Sequence, residues 1–84
     1  MYVYVLKSEK DGKLYIGQTN NITQRLEYHN RGKVKATKNR VPFKIIYYEE
    51  VKTRAEAMKR EKYLKSLKGG NEFKKILKLN VIIQ

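Results

Sequence analysis

Residues 1–19 read MYVYVLKSEKDGKLYIGQT, and this stretch decides the fold. Residues 1–7 are rich in β-branched and aromatic side chains, which predicts a strand. Residues 8–13, SEKDGK, contain Asp11-Gly12, a strong signal for a hairpin turn. Residues 14–19, LYIGQT, predict the returning strand, so we expect an antiparallel β-hairpin.

Downstream of the hairpin, the pattern predicts a helix, a basic loop and a third strand. Asn20 and Asn21 are suitable N-cap residues, and the helix that follows should stop at Gly32. Residues 31–44, RGKVKATKNRVPFK, hold six basic residues and no acid. Their apolar residues recur with neither a helical nor a strand period, which predicts a basic loop. Residues 43–51, FKIIYYEEV, predict the strand.

Two more helices complete the expected fold. Residues 53–56 fit a capping box, which begins a helix that runs to about Lys68 and is ended by residues 69–70. Asn71 should cap a short last helix through about Leu79, and the tail VIIQ, residues 81–84, should pack back. We therefore expect a single α/β domain over residues 1–84, in the order β-β-α-β-α-α, with a three-stranded, largely antiparallel sheet flanked by helices.

Composition narrows the possible partners and cofactors. The 84 residues contain 20 Lys and Arg against eight acids, a net charge of +12, which favours a polyanion, nucleic acid ahead of an anionic membrane. The alternative is a lysine-rich, solvated surface without a polyanionic partner. With no Cys and one His, any metal should be a hard cation held by oxygen. No stretch predicts a membrane span or signal peptide, so we expect a cytoplasmic protein.

Three groups of residues could carry chemistry. Arg25 and His29 lie four residues apart on one helical face. They are either a phosphate ligand beside a proton shuttle or an exposed pair of cations that repel each other weakly. Glu61 projects toward the apolar side of its helix, where it binds a cation or pairs with a Lys or Arg. Tyr4 and Tyr15 share a face with Gly17 if the hairpin strands are in register, either as a ligand site or as aromatic packing.

In combination, these residues resemble the GIY-YIG nuclease signature. The matching positions are Tyr2-Val3-Tyr4, Tyr15-Ile16-Gly17, Arg25 with His29, Glu61 and Asn71, in the family's order. The resemblance is to small stand-alone members similar to the N-terminal nuclease domain of the bacterial excinuclease. Two positions depart from the family pattern: the first motif is Tyr-Val-Tyr, and Gln18 stands where relatives often carry a basic residue.

The resemblance implies a catalytic role for each matching residue. Tyr4 would activate or position the attacking water, Tyr15 would hydrogen-bond the water or the scissile phosphate, and Gly17 would permit close approach of substrate. Arg25 would stabilise charge on the phosphate and His29 would assist proton transfer. Glu61 would bind one Mg²⁺ or Mn²⁺ ion. Asn71 matches a polar position near the end of the family domain.

The resulting hypothesis is a metal-dependent endonuclease acting on DNA, including branched or single-stranded DNA, in repair or recombination. The alternative is a non-catalytic nucleic-acid-binding module with the same fold. A homodimer would supply the two sites that a double-strand break needs, and the non-catalytic module would work with a partner protein. Binding should be electrostatic and weakly sequence-selective, and the candidate DNA-binding residues are Arg31, Lys33, Lys35, Lys38 and Arg40.

Overall fold

The computed structural model describes residues 1–78 and shows a three-stranded sheet with helices on both faces. The strands β1 (Tyr2–Ser8), β2 (Leu14–Thr19) and β3 (Phe43–Glu50) lie in the order β2-β1-β3, and both pairings are antiparallel. The helices are α1 (Ile22–Asn30), α2 (Arg54–Leu67) and α3 (Asn71–Lys78). The predicted fold class and element order are confirmed. Leu79 and the tail 81–84, which carried two further predictions, lie outside the described residues.

The hairpin turn between β1 and β2 is held by Ser8. Its hydroxyl oxygen accepts from the backbone N–H groups of Lys10 and Asp11, and its proton goes to the carbonyl of Arg40 at 2.6 Å. Gly12 has a φ of +73°, in the left-handed region that glycine adopts at low cost. The Asp11-Gly12 signal is therefore confirmed, and the turn is tied to the segment that precedes β3.

Local capping explains where the first two long helices begin. The Asn21 side chain accepts from the N–H of Gln24 at 3.0 Å, so Asn21 is the N-cap of α1, and Asn20 is not. The Thr53 hydroxyl accepts from the N–H of Glu56 at 3.1 Å and caps α2 as predicted. Each such cap satisfies one of the donors that a helix leaves unpaired at its first turn.

Two sequence predictions near chain turns are wrong. Asn71 does not cap α3, because the chain turns at Gly69 (φ +87°) and the carbonyl of Gly70 already accepts the first helical hydrogen bond, from the N–H of Lys74. The basic segment is also not wholly irregular. The carbonyl of Val34 accepts from two successive backbone N–H groups, and a 3₁₀ helix, Lys38–Arg40, follows.

The sheet separates two apolar clusters. On one face, which we call the α2/α3 face, the strands pack against both C-terminal helices through Val3, Val5, Ile16, Tyr47, Ala57, Leu64, Phe73 and Ile76. On the opposite face, the α1 face, the cluster is smaller and consists of Tyr4, Leu6 and Phe43, with Tyr15 and Leu26 beside it. Since successive residues of a strand point to opposite faces, β1 contributes to both clusters in alternation.

Candidate active site

The hairpin register brings Tyr4, Tyr15 and Gly17 to the α1 face. Tyr4 lies directly opposite Gly17, and Leu6 lies opposite Tyr15, so both phenols project on the same side of the sheet. The rings of Tyr4 and Tyr15 are 6.4 Å apart between centroids. A Cβ atom at position 17 would lie 2.6 Å from the Tyr4 hydroxyl oxygen, so the phenol occupies the space that a side chain at position 17 would need.

Helix α1 supplies two groups to the Tyr4 hydroxyl. The Nε2 atom of His29 lies 3.0 Å from the Tyr4 oxygen, and the Nε–H of Arg25 donates to the same oxygen at 3.4 Å. The Tyr15 ring also packs against the imidazole in a T-shaped arrangement, with centroids 4.9 Å apart. The predicted common face of Arg25 and His29 is confirmed, and both residues converge on Tyr4.

The structure adds one residue that the sequence did not indicate. Thr37 is fully buried, and its hydroxyl oxygen lies 2.8 Å from the Nδ1 atom of His29. Thr37 comes from the basic segment, where a Thr among lysines has no helical or strand periodicity to mark it. This contact depends on how the segment folds over α1, which a local pattern does not reveal.

Burial keeps the cluster largely uncharged. Desolvation raises the pKa of the Tyr4 phenol above its usual 10.0, and it outweighs the lowering by the Arg25 hydrogen bond. Desolvation, and then the charge of Arg25, lower the pKa of His29 to about 4. At neutral pH the phenol and the imidazole are both neutral, and Arg25 carries the positive charge.

We expect this buried histidine to weaken the fold in acid. The pKa of His29 is lower in the folded protein (about 4) than in the unfolded chain (6.5), so the unfolded chain binds the proton more readily. The stabilisation is complete above pH 6.5 and is lost as the pH falls toward 4. Relative to pH 7.5, it should decrease by roughly 2–3 kcal/mol at pH 4.5.

Denaturant unfolding of wild type and His29→Gln at both pH values measures this effect. Carboxylates titrate in the same range, so the informative quantity is the difference between the two proteins. If wild type and His29→Gln lose the same free energy of unfolding between pH 7.5 and 4.5, His29 is not the cause of the acid destabilisation.

Glu61 lies at the boundary of α2. Its side chain is 19% exposed, between the buried positions Ala57 and Leu64, and its Oε2 atom accepts from the Nζ of Lys65 at 2.7 Å. The predicted ion-pair alternative is therefore observed. The Glu61 charge also contributes, as the smallest of several effects, to the raised pKa of Tyr4, so the carboxylate is within electrostatic reach of the phenol.

The metal predicted from the sequence has one candidate ligand at this point. Within residues 1–78, no group of three or more His, Cys, Asp or Glu side chains is placed to hold a metal ion. Mg²⁺ commonly keeps several waters and binds through one or two carboxylates together with substrate phosphate. A single carboxylate, Glu61, near the Tyr4 cluster fits that pattern.

The site opens to solvent beside Arg25. A cavity of about 380 Å³ is lined by Thr19, Asn20, Gln24, Arg25 and Tyr28. The guanidinium carbon of Arg25 lies 5.5 Å from the centre of the half-exposed Tyr28 ring. A phosphate entering this cavity would meet the Arg25 guanidinium.

The predicted DNA-binding residues differ in availability. Lys33, Lys35 and Lys38 are exposed. Arg31 forms an ion pair with Glu27, which lies one turn earlier, in α1. Arg40 is paired with Asp11 at 3.2 Å, and its guanidinium carbon lies 5.6 Å from the ring centre of Phe43. The lysines are therefore the readier phosphate ligands of this segment.

Asn71 lies apart from the Tyr4 cluster. It is exposed at the first turn of α3, and this helix packs on the α2/α3 face. The tyrosines, Arg25 and His29 gather on the α1 face. Its proposed role remains a prediction.

Comparison with known proteins identifies similar chains. A family model described as the GIY-YIG catalytic domain matches residues 1–75. A UPF0213 protein of Bacillus licheniformis is 50% identical over 72 residues, covering 84% of this chain and 73% of that protein. UPF0213 proteins of Clostridium perfringens (46% over 67 residues; 79% and 71% covered) and Staphylococcus haemolyticus (41% over 76 residues; 89% and 92% covered) are also similar. No solved structure matches the chain. Among the described helices, none is long and apolar enough to cross a membrane.

Proposed function

Because the chain belongs to the GIY-YIG catalytic domain family, a family of nucleases, we propose that it is a metal-dependent endonuclease hydrolysing phosphodiester bonds in DNA. The observation that carries this proposal is the Tyr4 hydroxyl, which is held between Arg25 and His29 directly above Gly17. A buried phenol with a cation on one side and a neutral imidazole on the other can exchange protons with a bound water.

Arg25 would bind the scissile phosphate. Its guanidinium lines the solvent-facing cavity and is anchored by the Tyr4 oxygen, so its position is set before substrate arrives. A fixed cation beside a phosphate stabilises the charge that builds on the phosphate oxygens during attack. Tyr15, packed against the imidazole, would orient the water or a phosphate oxygen by its hydroxyl.

The proton route follows from the two shifted pKa values. In the resting protein burial raises the pKa of Tyr4 above its usual 10.0 and lowers that of His29 to about 4, so a separated phenolate and imidazolium would be strongly disfavoured. Tyr4 therefore accepts the water proton as its own proton passes to Nε2 of His29, in one concerted transfer. A negative phosphate beside Arg25 would favour the imidazolium and lower this cost. After cleavage the leaving oxygen would take a proton from solvent water, and His29 would return its proton through Tyr4 to solvent.

Glu61 would hold the metal ion. When bound, Mg²⁺ or Mn²⁺ would supply positive charge to the leaving oxygen. Binding requires Lys65 to give up its hydrogen bond to the Glu61 carboxylate, which its 54% exposed side chain can do by turning into solvent.

The Lys65 contact favours a second candidate function. A lysine that already neutralises Glu61 suits a chain that binds nucleic acid without cutting it. In this alternative, Lys33, Lys35 and Lys38 contact phosphates, and affinity falls steeply with salt.

A cleavage assay separates the two candidates. Branched, single-stranded and duplex DNA are incubated with Mg²⁺ or Mn²⁺ and wild type, Arg25→Lys or Glu61→Gln. Both substitutions nearly preserve shape, and we expect each to reduce cleavage about 100-fold or more, since each removes a group that stabilises transition-state charge. Preference for branched DNA would support a role in repair or recombination.

Arg54→Lys and Glu72→Gln are matched controls on exposed positions outside the cluster. Cleavage that survives at wild-type rate in both Arg25→Lys and Glu61→Gln contradicts the mechanism. An absence of cleavage on every substrate, with salt-dependent binding retained, establishes the binding module.

A further inference from the structure

Thr37 is the buried polar residue that the proposed chemistry has not yet used. We infer that Thr37 is a positioning residue that holds His29 in the tautomer protonated on Nδ1, which leaves Nε2 free to accept the phenol proton of Tyr4. The tautomer assignment stands on hydrogen bonding alone, and only its catalytic consequence rests on the proposed nuclease function.

The phenol of Tyr4 determines which imidazole nitrogen is unprotonated. Tyr4 is 2% exposed, and a buried hydroxyl has to donate its proton to an acceptor. Within residues 1–78, two side-chain groups lie within hydrogen-bond distance of the Tyr4 oxygen, Nε of Arg25 and Nε2 of His29. A guanidinium can only donate. The acceptor is therefore Nε2, which must be unprotonated.

The hydroxyl of Thr37 is placed to bond the other imidazole nitrogen. A neutral imidazole with a bare Nε2 carries its proton on Nδ1, and the atom 2.8 Å from Nδ1 is the Thr37 oxygen. A hydroxyl that accepts this bond needs an acceptor for its own proton. The carbonyl oxygen of Val34 lies 3.4 Å away and supplies one. The Thr37 end of the chain of hydrogen bonds thus accommodates the tautomer that the Tyr4 end requires.

The neutrality of Thr37 has a consequence for the reaction. A carboxylate at this position would stabilise an imidazolium, as the Asp of a serine-protease triad does. A hydroxyl orients the ring without adding negative charge. His29 is thereby kept neutral in the resting protein and holds a proton only while Tyr4 receives one from water.

The location of Thr37 also connects this bond to DNA binding. Lys35 and Lys38, two of the proposed phosphate ligands, flank it in the basic segment. The backbone N–H groups of Thr37 and Lys38 both bond to the carbonyl of Val34, so one short turn carries both residues. A phosphate that orders these lysines would also order the hydroxyl against His29.

Nitrogen-15 NMR of the imidazole tests the assignment directly. The chain has one histidine, so the imidazole correlations need no assignment. Wild type at pH 7.5 should show a protonated Nδ1 and a bare Nε2. Thr37→Val preserves shape and removes the hydroxyl, so the imidazole should shift toward the Nε2–H tautomer, while Thr37→Ser should restore the wild-type pattern.

Two spectral results would overturn the inference. One is an Nε2–H tautomer in wild type, which decides the matter even if the Val variant does not fold. The other is an unchanged Nδ1–H pattern in folded Thr37→Val. Neither depends on nuclease activity, so they remain decisive if the proposed function fails.

Kinetics test the catalytic consequence. Thr37→Val should lower kcat about 10- to 100-fold with KM nearly unchanged. This loss is a part of the rate acceleration that a positioned proton-transfer group supplies. Thr37→Ser should stay close to wild type, and so should Thr23→Val, a matched change at an exposed threonine of α1. A rise in KM at constant kcat would instead make Thr37 a DNA-binding residue and contradict its role toward His29.

Discussion

Gly17→Ala should abolish DNA cleavage and destabilise the protein by about 1–3 kcal/mol. The added Cβ would lie 2.6 Å from the oxygen and 2.8 Å from the Cζ atom of Tyr4, closer than unbonded atoms approach. The ring cannot yield without cost, because it is buried and its hydroxyl is bonded to groups of α1. In a strand without this contact, Gly→Ala is expected to stabilise the protein by roughly 0.5–1 kcal/mol. The sign of the change in the free energy of unfolding therefore shows whether the Tyr4 phenol occupies this space.

Denaturant unfolding and the cleavage assay, run on the same preparation, measure both effects. Gly12→Ala is the matched control. It forces a φ of +73° on alanine and should cost about 1–2 kcal/mol, yet its Cβ would meet nothing within 4 Å. Gly12→Ala should therefore retain cleavage at a similar loss of stability. Wild-type cleavage by Gly17→Ala would show that the Tyr4 position is unimportant.

Tyr4→Phe should reduce cleavage about 1,000-fold or more while DNA binding stays within a few-fold of wild type. The substitution removes the hydroxyl and leaves the ring, so the apolar packing with Leu6 and Phe43 is kept. It removes both the atom that exchanges a proton with water and the bond partner of His29 Nε2. The free energy of unfolding should fall by only about 1–2 kcal/mol, the usual cost of leaving one buried partner unpaired.

Single-turnover cleavage and salt-dependent binding distinguish these effects. Tyr2→Phe is the control, two residues earlier on the same face of β1, where the ring packs edge-on against Tyr48. It should cleave at close to the wild-type rate. Full activity of Tyr4→Phe, with loss of activity in Tyr15→Phe, would reverse the roles assigned to the two phenols.

The elements that the sequence predicted well are those with strong local determinants. Asp11-Gly12 supplies the turn, Asn21 and Thr53 supply helix caps, and the period of two along β1 and β2 places Tyr4 beside Gly17. The resemblance to GIY-YIG nucleases predicted which residues belong together, and the structure brings five of the seven, Tyr4, Tyr15, Gly17, Arg25 and His29, into one cluster.

The errors and omissions concern contacts between distant segments and local turns that propensity does not specify. Thr37 meets His29 only because the basic segment turns over α1, and the 3₁₀ helix in that segment forms from backbone bonds that no side-chain pattern marks. The assignment of Asn71 as a cap failed by one residue, because glycines at 69 and 70 can both serve in the turn and propensity does not choose between them. Lys65 was not foreseen by name, although a basic partner for Glu61 was one of the stated alternatives.

The alternation of β1 side chains between the two faces of the sheet has a consequence for the evolution of such a protein. Val3 and Val5 face one side of the sheet and hold the fold, while Tyr4 between them faces the other and carries the proposed chemistry. If the proposed function is right, one nucleotide change that turns Tyr4 into phenylalanine would remove cleavage and leave the apolar packing on both faces of the sheet in place. A gene inactivated by this substitution would regain its activity by a single reversion, because the substitution leaves the packing of the scaffold unchanged.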